Sequence, residues 1–383
     1  MGSWALSQKP VFKTSADIIV GAERFAEYSS LLEHKRVAVT GNHSSKVKNM
    51  HLVDFLIENE VNITKVFAPE HGFRGNADAG EKVVDGIDVK TGLPIVSLYG
   101  SHKKPTEQDL TDVELMVFDI QDVGARFYTY ISTMTYVMEA CAEQGVSVLI
   151  LDRPNPNGFY VDGPVLQESF KSFVGMHPIP VVHGMTVGEL AQMINEEGWL
   201  EDKVRCDLTV IPCEDYTHND VYILPEKPSP NLPNINSILL YPSLCFFEGT
   251  VFSVGRGTDK PFEVFGHPNM SVGSFMFVPK SGEGAKSPKH EDVPCLGWDL
   301  SEIGGSRVME KQHLILDWMV NAYRDFPIKN KFFLDNGFFD KLAGTDVLRK
   351  QILSGMAAEE IRESWQPELN SFKRLRTKYL IYP

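Results

Sequence analysis

The chain has 383 residues, of which 43% are hydrophobic and 23% are charged; this is the composition of an ordinary folded protein and excludes disordered, collagenous and fibrous classes. At this length we expect two or three domains, or one large α/β unit with an appendage. The 51 acidic and 37 basic residues give a formal charge of −14, which argues against nucleic acid or an anionic membrane surface as a partner. An anionic small substrate is still compatible with that charge, because a few local arginines override the global field.

Signals for compartment and processing are sparse. No apolar run approaches the roughly 20 residues that a membrane-spanning helix needs. The start, Met1-Gly2-Ser3, resembles an expression scar rather than a signal peptide, and we expect that a native export signal is missing from this sequence. The 5 cysteines are scattered and form no CxxC pair, so we expect buried free thiols rather than disulfides or a zinc site.

The first 240 residues alternate short apolar runs with helical patterns. The strand-like runs are 36–40, 65–68, 94–98, 115–119, 146–151 and 208–212. Helical spacing is clearest over 130–143 and 186–197, and Thr186 with Glu189 predicts a capping box at the start of the second helix. Near-continuous apolar strands separated by helices predict a parallel sheet with both faces covered. The expected fold class is therefore α/β, with a doubly wound, Rossmann-like, mostly parallel sheet.

The pattern changes after a segment rich in Pro, Asn and Ser at 226–242, which predicts a long irregular connection and a domain seam. Short strands at 249–254 and 274–278, a polar loop at 280–292 and helices from 308 onward predict a second, smaller α+β domain. Pro367 fits the first turn of the last helix. We divide the chain into a tag scar and N-terminal extension (1–20), a Rossmann-like catalytic domain (21–242) and the smaller C-terminal domain (243–383).

Polar side chains follow each of the first five strands of the predicted sheet. In an open parallel sheet, ligands bind outside the carboxyl ends of the strands. The segments at these ends are 41–45, 69–75, 99–101, 119–130 and 152–158. Their acidic, amide, histidine and arginine groups predict a polar crevice with a functional site in it.

Carboxylates dominate this crevice, and the catalytic candidates among them are Glu70, Asp119, Asp122 and, from a later glycine-containing loop, Glu248. Two carboxylates in different environments divide into a proton donor and an ionised partner, as glycoside hydrolysis requires. Structural roles are the alternatives. Glu70 would then cap a helix or pair with Arg74, and Asp119 and Asp122 would cap the helix that follows them.

Other side chains of the same segments and of three later loops are candidates for substrate binding. They are Asn42, His71, Arg74, Tyr99, Arg126, Tyr128, Arg153, Asn155, His183, Asn231 and Arg256. An arginine fork suits a carboxylate, and rings such as Tyr128, Tyr130, Phe73 and Phe262 suit a sugar face. The alternatives are core packing for the rings, and buried salt bridges of Arg126 and Arg153 with Asp122 or Asp152.

Several cofactor motifs are absent from the sequence. No GxGxxG follows the first strand, and no Walker A, HExxH or GxSxG motif occurs. No tight metal-ligand spacing appears either. We therefore expect no cofactor and no metal.

Long sequence strings resemble the DUF1343 family of exo-β-N-acetylmuramidases. The strings are FAPEHGFRG (67–75), SLYG (97–100), FDIQDVGARFYTYISTM (118–134), LDRPNP (151–156), HGMTVGELA (183–191), SPNLP (229–233), YPSLCFFEGT (241–250), SVGRGTDKPFE (253–263) and the end of the chain from ESWQPELNSFKRLRTKYLIYP. The resemblance covers roughly 21–383. The string GHPNM at 266–270 is similar to the Bacteroidetes-type members.

The resemblance implies an exo-acting glycoside hydrolase that releases N-acetylmuramic acid (MurNAc) from the non-reducing end of peptidoglycan fragments in cell-wall turnover and recycling. It implies a MurNAc-GlcNAc saccharide as partner, a cleft between the two domains, and export to the periplasm or beyond. The glutamate of the family's PEHG string is its leading catalytic candidate, and it matches Glu70 here.

The resulting hypothesis gives Glu70 the role of proton donor to the glycosidic oxygen. A second carboxylate, Asp122 first and Glu248 second, stabilises the transition state or activates water, unless the 2-acetamido group of the substrate acts as nucleophile. Arg126, Arg153 or Arg256 binds the lactyl carboxylate of MurNAc. The rival hypotheses are a non-catalytic saccharide-binding protein and a nucleotide- or phosphate-using transferase, the latter disfavoured by the missing phosphate loop.

Overall fold

The computed structural model describes residues 9–70, 72–74 and 85–383. Its strands are β1 (Val11–Lys13), β2 (Val37–Gly41), β3 (Lys46–Val47), β4 (Met50–His51), β5 (Ile63–Ala68), β6 (Gly86–Ile87), β7 (Pro94–Ser97), β8 (Leu115–Asp119), β9 (Ser147–Leu151), β10 (Leu208–Ile211), β11 (Asp220–Tyr222), β12 (Val264–His267), β13 (Phe275–Phe277) and β14 (Cys295–Asp299). Its α-helices are α1 (Phe25–Leu32), α2 (Leu52–Glu58), α3 (Tyr130–Gln144), α4 (Val187–Glu196), α5 (Ile235–Leu244), α6 (Gly304–Lys311), α7 (Asp317–Asp325), α8 (Phe338–Ala343), α9 (Val347–Leu353), α10 (Ala358–Ser364) and α11 (Gln366–Arg376).

A seven-stranded sheet forms the centre of the N-terminal part, in the order β10-β9-β8-β2-β5-β7-β6. All its neighbouring strands pair in parallel except β6, which is antiparallel to β7. From β2 the chain moves outward through β5 and β7 and then crosses to β8. The topological switch therefore lies between β2 and β8, where ligand crevices form in such sheets.

Alternate residues of the central strands pack on opposite faces of the sheet, as the two-residue period of a strand requires. Val37 and Val39 lie in one core cluster together with Leu52 of α2, while Ala38 and Met116 lie in another together with the buried side of α3. Burial of both faces explains why the strands read as continuous apolar runs. The predicted doubly wound sheet is confirmed.

The C-terminal part combines a three-stranded antiparallel sheet, in the order β12-β14-β13, with the helices from α5 to α11. The predicted second, smaller α+β domain is thus confirmed as an architecture. Helix α5 (Ile235–Leu244) crosses the predicted boundary between residues 242 and 243, and that boundary stays a prediction.

The prediction of an irregular connection over 226–242 is wrong in its second half, which forms α5 although Pro242 lies inside it. A proline has no N–H to donate to the carbonyl four residues earlier, here that of Ile238. The side-chain amide of Asn157 donates to this carbonyl instead, at 3.1 Å. Asn234 caps the helix through a reciprocal bond with Ser237.

The expected strand at 249–254 is also absent. That stretch follows a 3₁₀ helix, Cys245–Gly249, and makes only isolated bridges from Thr250 to Phe333 and from Ser253 to Gly266. The capping box of Thr186 and Glu189 and the first-turn position of Pro367 are confirmed. All 5 cysteines are buried and free, as expected. Over the described ranges, no helix is long and apolar enough to span a bilayer.

Candidate active site

A cleft of about 250 Å³ lies between the strand ends of the large sheet and the C-terminal part. Its walls come from the turn after β5, the start of α3, the turn before α5, the 3₁₀ segment after α5, the following loop and α8. The lining residues are Glu70, Phe127, Tyr128, Thr129, Tyr130, Val174, Ser229, Asn231, Leu232, Tyr241, Cys245, Glu248, Arg256, Phe262, Phe338 and Leu342. A larger cavity of about 690 Å³ beside α6 contains none of the predicted site residues.

Glu70 reaches the cleft because β5 ends at Ala68 and Pro69 stops the strand. Two phenols adjoin it. Burial, the charge of Glu70 and a hydrogen bond between the two side chains raise the pKa of Tyr99. Tyr130 donates from its hydroxyl to the Glu70 carbonyl at 3.4 Å. Among the described residues Arg74 pairs with Asp54 and Asp88 rather than with Glu70, as the alternative role had it, and Glu70 lines the cleft.

Glu248 and Arg256 form a two-bond ion pair in the wall of the same cleft. Arg256 donates from Nε and from Nη2 to the two Glu248 carboxylate oxygens, at 2.8 Å each. Burial alone would raise the pKa of Glu248, but the charge and hydrogen bonds of Arg256, with the charge of Lys289, hold it below its usual value. Glu248 is therefore ionised at neutral pH.

Lys289 lies behind this ion pair and does not appear among the predicted site residues. Its ammonium donates to the carbonyls of Glu248 at 2.9 Å and Thr250 at 2.7 Å, and more weakly to that of Phe247 at 3.3 Å. Burial lowers the pKa of Lys289 to about 8, against the opposing charge of Glu248. The sequence gives no sign that Lys289, a lysine in the polar loop 280–292, binds these carbonyls, because they lie about 40 residues away in the chain.

Asp119 and Arg153 neutralise each other beneath the strand ends. Arg153 donates from Nε at 2.5 Å and from Nη2 at 2.8 Å to the two oxygens of Asp119, which has no exposed surface. Arg153 Nη2 also donates to the carbonyl of Lys46. Neither residue lines the cleft, so the pair braces β8 against β9, and the structure assigns Arg153 to Asp119 rather than to Asp122 or Asp152.

Asp122 is buried outside the cleft wall. It accepts a hydrogen bond from the Gly124 amide at 2.6 Å, as a turn cap does, while its Oδ1 has no partner in the described chain. His183 Nε2 is 3.9 Å from Oδ2, too far for a hydrogen bond. Burial raises the pKa of Asp122 to about 7 and lowers that of His183 to about 3, so both are largely neutral near pH 6.

Two of the predicted substrate-binding arginines are engaged elsewhere. Arg126 is fully buried and donates to the carbonyls of Pro164, Ile179 and Leu342. Arg74 pairs with Asp54 and Asp88, which hold it away from the cleft. The structure brings neither guanidinium to the cleft, and the expected pairing of Arg126 with Asp122 or Asp152 is absent from the described residues.

Of the remaining predicted substrate-binding residues, some line the cleft and others lie behind its wall. Tyr128 and Asn231 line the cleft; the Tyr128 hydroxyl donates to Pro228 at 2.6 Å and the Asn231 amide donates to Gly284 at 2.7 Å. Asn42 lies behind the wall, where its Oδ1 accepts hydrogen bonds from the Ser44 amide at 2.8 Å and the Ser44 hydroxyl at 2.6 Å. Asn155 spans to the Met185 carbonyl, outside the cleft. His71 lies outside the described residues.

Aromatic rings form a continuous wall in edge-to-face contact. Tyr128 lies 5.0 Å from Tyr130 and 6.0 Å from Tyr241, and Tyr241 lies 4.9 Å from Phe262, measured between ring centroids. Phe73, expected as a stacking ring, packs instead against His51 in the core. In the described part of the chain, no group of three His, Cys, Asp or Glu residues is placed to hold a metal ion.

A cleft at the strand ends of a doubly wound sheet, with two carboxylates and an aromatic wall, is the arrangement of a glycoside hydrolase. Comparison with known proteins gives the particular family. The model described as "Exo-beta-N-acetylmuramidase NamZ, N-terminal" matches residues 37–236, and its C-terminal counterpart matches residues 239–382. The chain belongs to the NamZ family, and the predicted resemblance is confirmed.

Relatives with known names or structures agree. The peptidoglycan beta-N-acetylmuramidase NamZ of Bacillus subtilis (strain 168) is 38% identical over 98% of this chain and 92% of its own length. A crystal structure of a DUF1343 family protein from Bacteroides fragilis has a TM-score of 0.89 at 48% identity, covering 96% of this chain and 99% of that one. A second B. fragilis DUF1343 structure has a TM-score of 0.77 at 29% identity, with the same coverage.

Proposed function

We propose that this protein is an exo-acting β-N-acetylmuramidase that releases MurNAc from the non-reducing end of peptidoglycan fragments. The supporting observation is the cleft in which Glu70 and the Glu248–Arg256 pair share a wall, in a chain of the NamZ family. The cleft volume of about 250 Å³ suits one terminal sugar rather than a long glycan.

Glu70 is the proton donor in this proposal. Its proton passes to the glycosidic oxygen as the bond from that oxygen to the anomeric carbon breaks, and the second sugar leaves as an alcohol. Water supplies the hydroxyl on the anomeric carbon, and its proton restores Glu70. The nearby phenols of Tyr99 and Tyr130 fix the position of Glu70.

The nucleophile in this proposal belongs to the substrate rather than to the protein. Asp119 is tied to Arg153, Asp122 is buried behind the wall, and both oxygens of Glu248 are occupied by Arg256. Glu248, whose pKa Arg256 holds below its usual value, is a poor nucleophile and a poor base, and neither Asp119 nor Asp122 lines the cleft. This favours the 2-acetamido oxygen of MurNAc as internal nucleophile, with a cyclic intermediate that water opens.

That mechanism predicts retention of configuration. Proton NMR of a MurNAc glycoside during hydrolysis should show the β-anomer of MurNAc first, with the α-anomer appearing later by mutarotation. If the α-anomer is the first product, water attacks directly and the internal nucleophile is excluded.

The substitution Glu70→Gln tests the proposed activity. It removes the transferable proton with little change of shape, and we expect turnover of a MurNAc-GlcNAc disaccharide to fall by about 100-fold or more. Free MurNAc is measured by mass spectrometry. The matched control is Glu107→Gln on the exposed surface, which should leave turnover unchanged.

Two outcomes would contradict this assignment. Near wild-type turnover in Glu70→Gln would exclude Glu70 as the proton donor. Tight binding of the disaccharide by the wild-type protein without release of MurNAc would instead support a non-catalytic saccharide-binding protein.

The same proposal places the protein in the periplasm or outside the cell, in cell-wall turnover, because peptidoglycan lies beyond the cytoplasmic membrane. Fractionation of cells that express the protein from its full natural gene tests this, and a cytoplasmic location would contradict it.

A further inference from the structure

Arg256 is the one cationic side chain on the cleft wall within the described part of the chain. The other three arginines of the predicted crevice bind partners inside the protein. Arg74 pairs with Asp54 and Asp88, and Arg153 pairs with Asp119. Arg126 donates to backbone carbonyls. A negatively charged group of a ligand in the cleft therefore has one guanidinium to meet.

The Arg256 guanidinium uses only part of its donor set inside the protein. Nε and one hydrogen of Nη2 serve Glu248, while Nη1 makes no hydrogen bond to the described residues. Nη1 is also not among the buried polar atoms that lack a partner, and 29% of the side chain is exposed. Nη1 and the second hydrogen of Nη2 thus form an unused edge, which has the spacing of a carboxylate.

Two neighbours hold that edge in a fixed orientation. Glu248 binds the opposite edge with both oxygens, and Phe262 lies beneath the guanidinium with its ring centroid 4.9 Å from Cζ. Phe262 has a φ of 56°, which is strained for a large side chain. Strain of this kind is typical of residues held in place for a functional site.

Lys289 completes the arrangement from behind. It ties the turn that carries Glu248 through the carbonyls of Glu248 and Thr250. The Glu248–Arg256 ion pair is neutral by itself. With the ammonium of Lys289 behind it, the group of three side chains carries one net positive charge. A mono-anion entering the cleft would balance that charge in a partly desolvated site, where electrostatic interactions are stronger than in water.

We propose that Arg256 binds the lactyl carboxylate of MurNAc through this unused edge, with Glu248, Phe262 and Lys289 as positioning residues. The inference rests on the proposed function and deepens it. The lactyl ether is the one feature that distinguishes MurNAc from N-acetylglucosamine, so this contact determines substrate specificity. It also assigns Glu248 to recognition rather than to the bond-breaking step.

The test compares three β-glycosides with the same leaving group: MurNAc, its lactyl methyl ester and GlcNAc. The wild-type protein should prefer MurNAc over both neutral sugars. Arg256→Gln should lower kcat/KM for the MurNAc glycoside by about 10- to 100-fold, the usual effect of losing a hydrogen-bonded charge pair, and leave the two neutral glycosides little changed. Arg256→Lys should recover part of the preference.

The matched control is Arg349→Gln, because Arg349 binds both carboxylate oxygens of Asp340 through Nε and Nη2 in a similar way and is 32% exposed, but lies outside the cleft lining. It should leave the preference unchanged. An equal loss on all three glycosides in Arg256→Gln, or an unaltered preference, would overturn the inference while leaving the hydrolase activity established.

A binding measurement separates this inference from the proposed function. Calorimetry with free MurNAc and free GlcNAc reports recognition whether or not the protein hydrolyses a glycoside. Weaker binding of MurNAc alone in Arg256→Gln supports the inference even if no turnover is found, and equal binding of both sugars by the wild-type protein refutes it.

Discussion

Asp122 shows how burial alone changes the chemistry of one carboxyl group. It is 4% exposed, accepts a hydrogen bond from the Gly124 amide and forms no ion pair with a Lys or Arg in the described part of the chain. Burial raises its pKa to about 7, with the neighbouring amides opposing the shift. In the unfolded chain the pKa returns to near 3.8, so folding favours the protonated form.

The sign of the pH dependence follows from these two values. Below about pH 4 Asp122 is protonated in both states and costs nothing; as the pH rises to 7 the unfolded state releases the proton first, so stability falls. Above pH 7 the full cost is on the order of 4 kcal/mol. Asp122→Asn should therefore be more stable than wild type at pH 8, with a difference that disappears by pH 4.

Urea denaturation at several pH values measures this difference, and Asp335→Asn on the exposed surface is the control, expected to follow wild type at every pH. Contributions from other buried carboxyl groups, such as Asp152, cancel because both proteins contain them. A destabilised Asp122→Asn at pH 8 would show that the ionised carboxylate is stabilised in the native state.

Residue type alone does not distinguish the four arginines of the crevice. Arg74, Arg126, Arg153 and Arg256 follow strand ends or loops in the same way in the sequence, yet only Arg256 reaches the cleft. The difference lies in partners far along the chain, such as the Leu342 carbonyl that Arg126 meets 216 residues away. A sequence motif predicts where these side chains gather but not which of them are already satisfied.

At the scale of elements, periodicity predicts the large sheet well. The expected run 115–119 coincides with β8 (Leu115–Asp119), and the expected helix 130–143 ends one residue before the end of α3 (Tyr130–Gln144). These elements are predictable because the sheet is buried on both faces. Its strands are therefore continuous apolar runs, and its helices show the apolar spacing of a helix, both of which can be recognised in a short stretch of sequence. The strand-end rule then places Glu70 correctly on the cleft wall.

Prediction fails where distant groups replace local backbone bonds. A helix through Pro242 is unfavourable by local rules, but Asn157 donates to the carbonyl that the proline leaves free. The segment 249–254 is rich in apolar and β-branched residues and yet makes only isolated bridges. It lies against β12 and the Phe333 region, and the tertiary contacts override its strand propensity.

At the scale of the whole molecule, the two parts share one core. A single cluster of buried apolar side chains extends from Ala38 in the large sheet to Phe339, Leu342 and Tyr379 in the C-terminal helices. Arg126 adds a hydrogen bond to the Leu342 carbonyl across the same junction. An interface built like a domain interior disfavours independent motion of the two parts, so we expect the cleft walls to be largely preformed.

The C-terminal end strengthens this coupling by binding back to the large sheet. The Tyr382 hydroxyl donates to Asp152 Oδ2 at 2.7 Å and accepts from the Cys213 amide at 2.8 Å. The Ile381 amide donates to Glu189 at 2.8 Å. The last residues of the chain therefore stabilise the strand ends of β9 and β10, which belong to the N-terminal part.

One shared core and this C-terminal contact predict a single cooperative unfolding transition. Far-ultraviolet circular dichroism and the fluorescence of the tryptophans, three of which (Trp298, Trp318 and Trp365) report on the C-terminal part, should give coincident denaturation curves. Tyr382→Phe should shift both curves together, by about 1 to 3 kcal/mol, because it removes one hydrogen bond from the buried carboxylate of Asp152 and takes the acceptor away from the Cys213 amide. Tyr323→Phe on α7, whose hydroxyl makes no hydrogen bond within the described residues, is the control and should shift neither curve. Two separated transitions, or a shift confined to one probe, would show that the two parts fold independently and that the cleft between them is free to open.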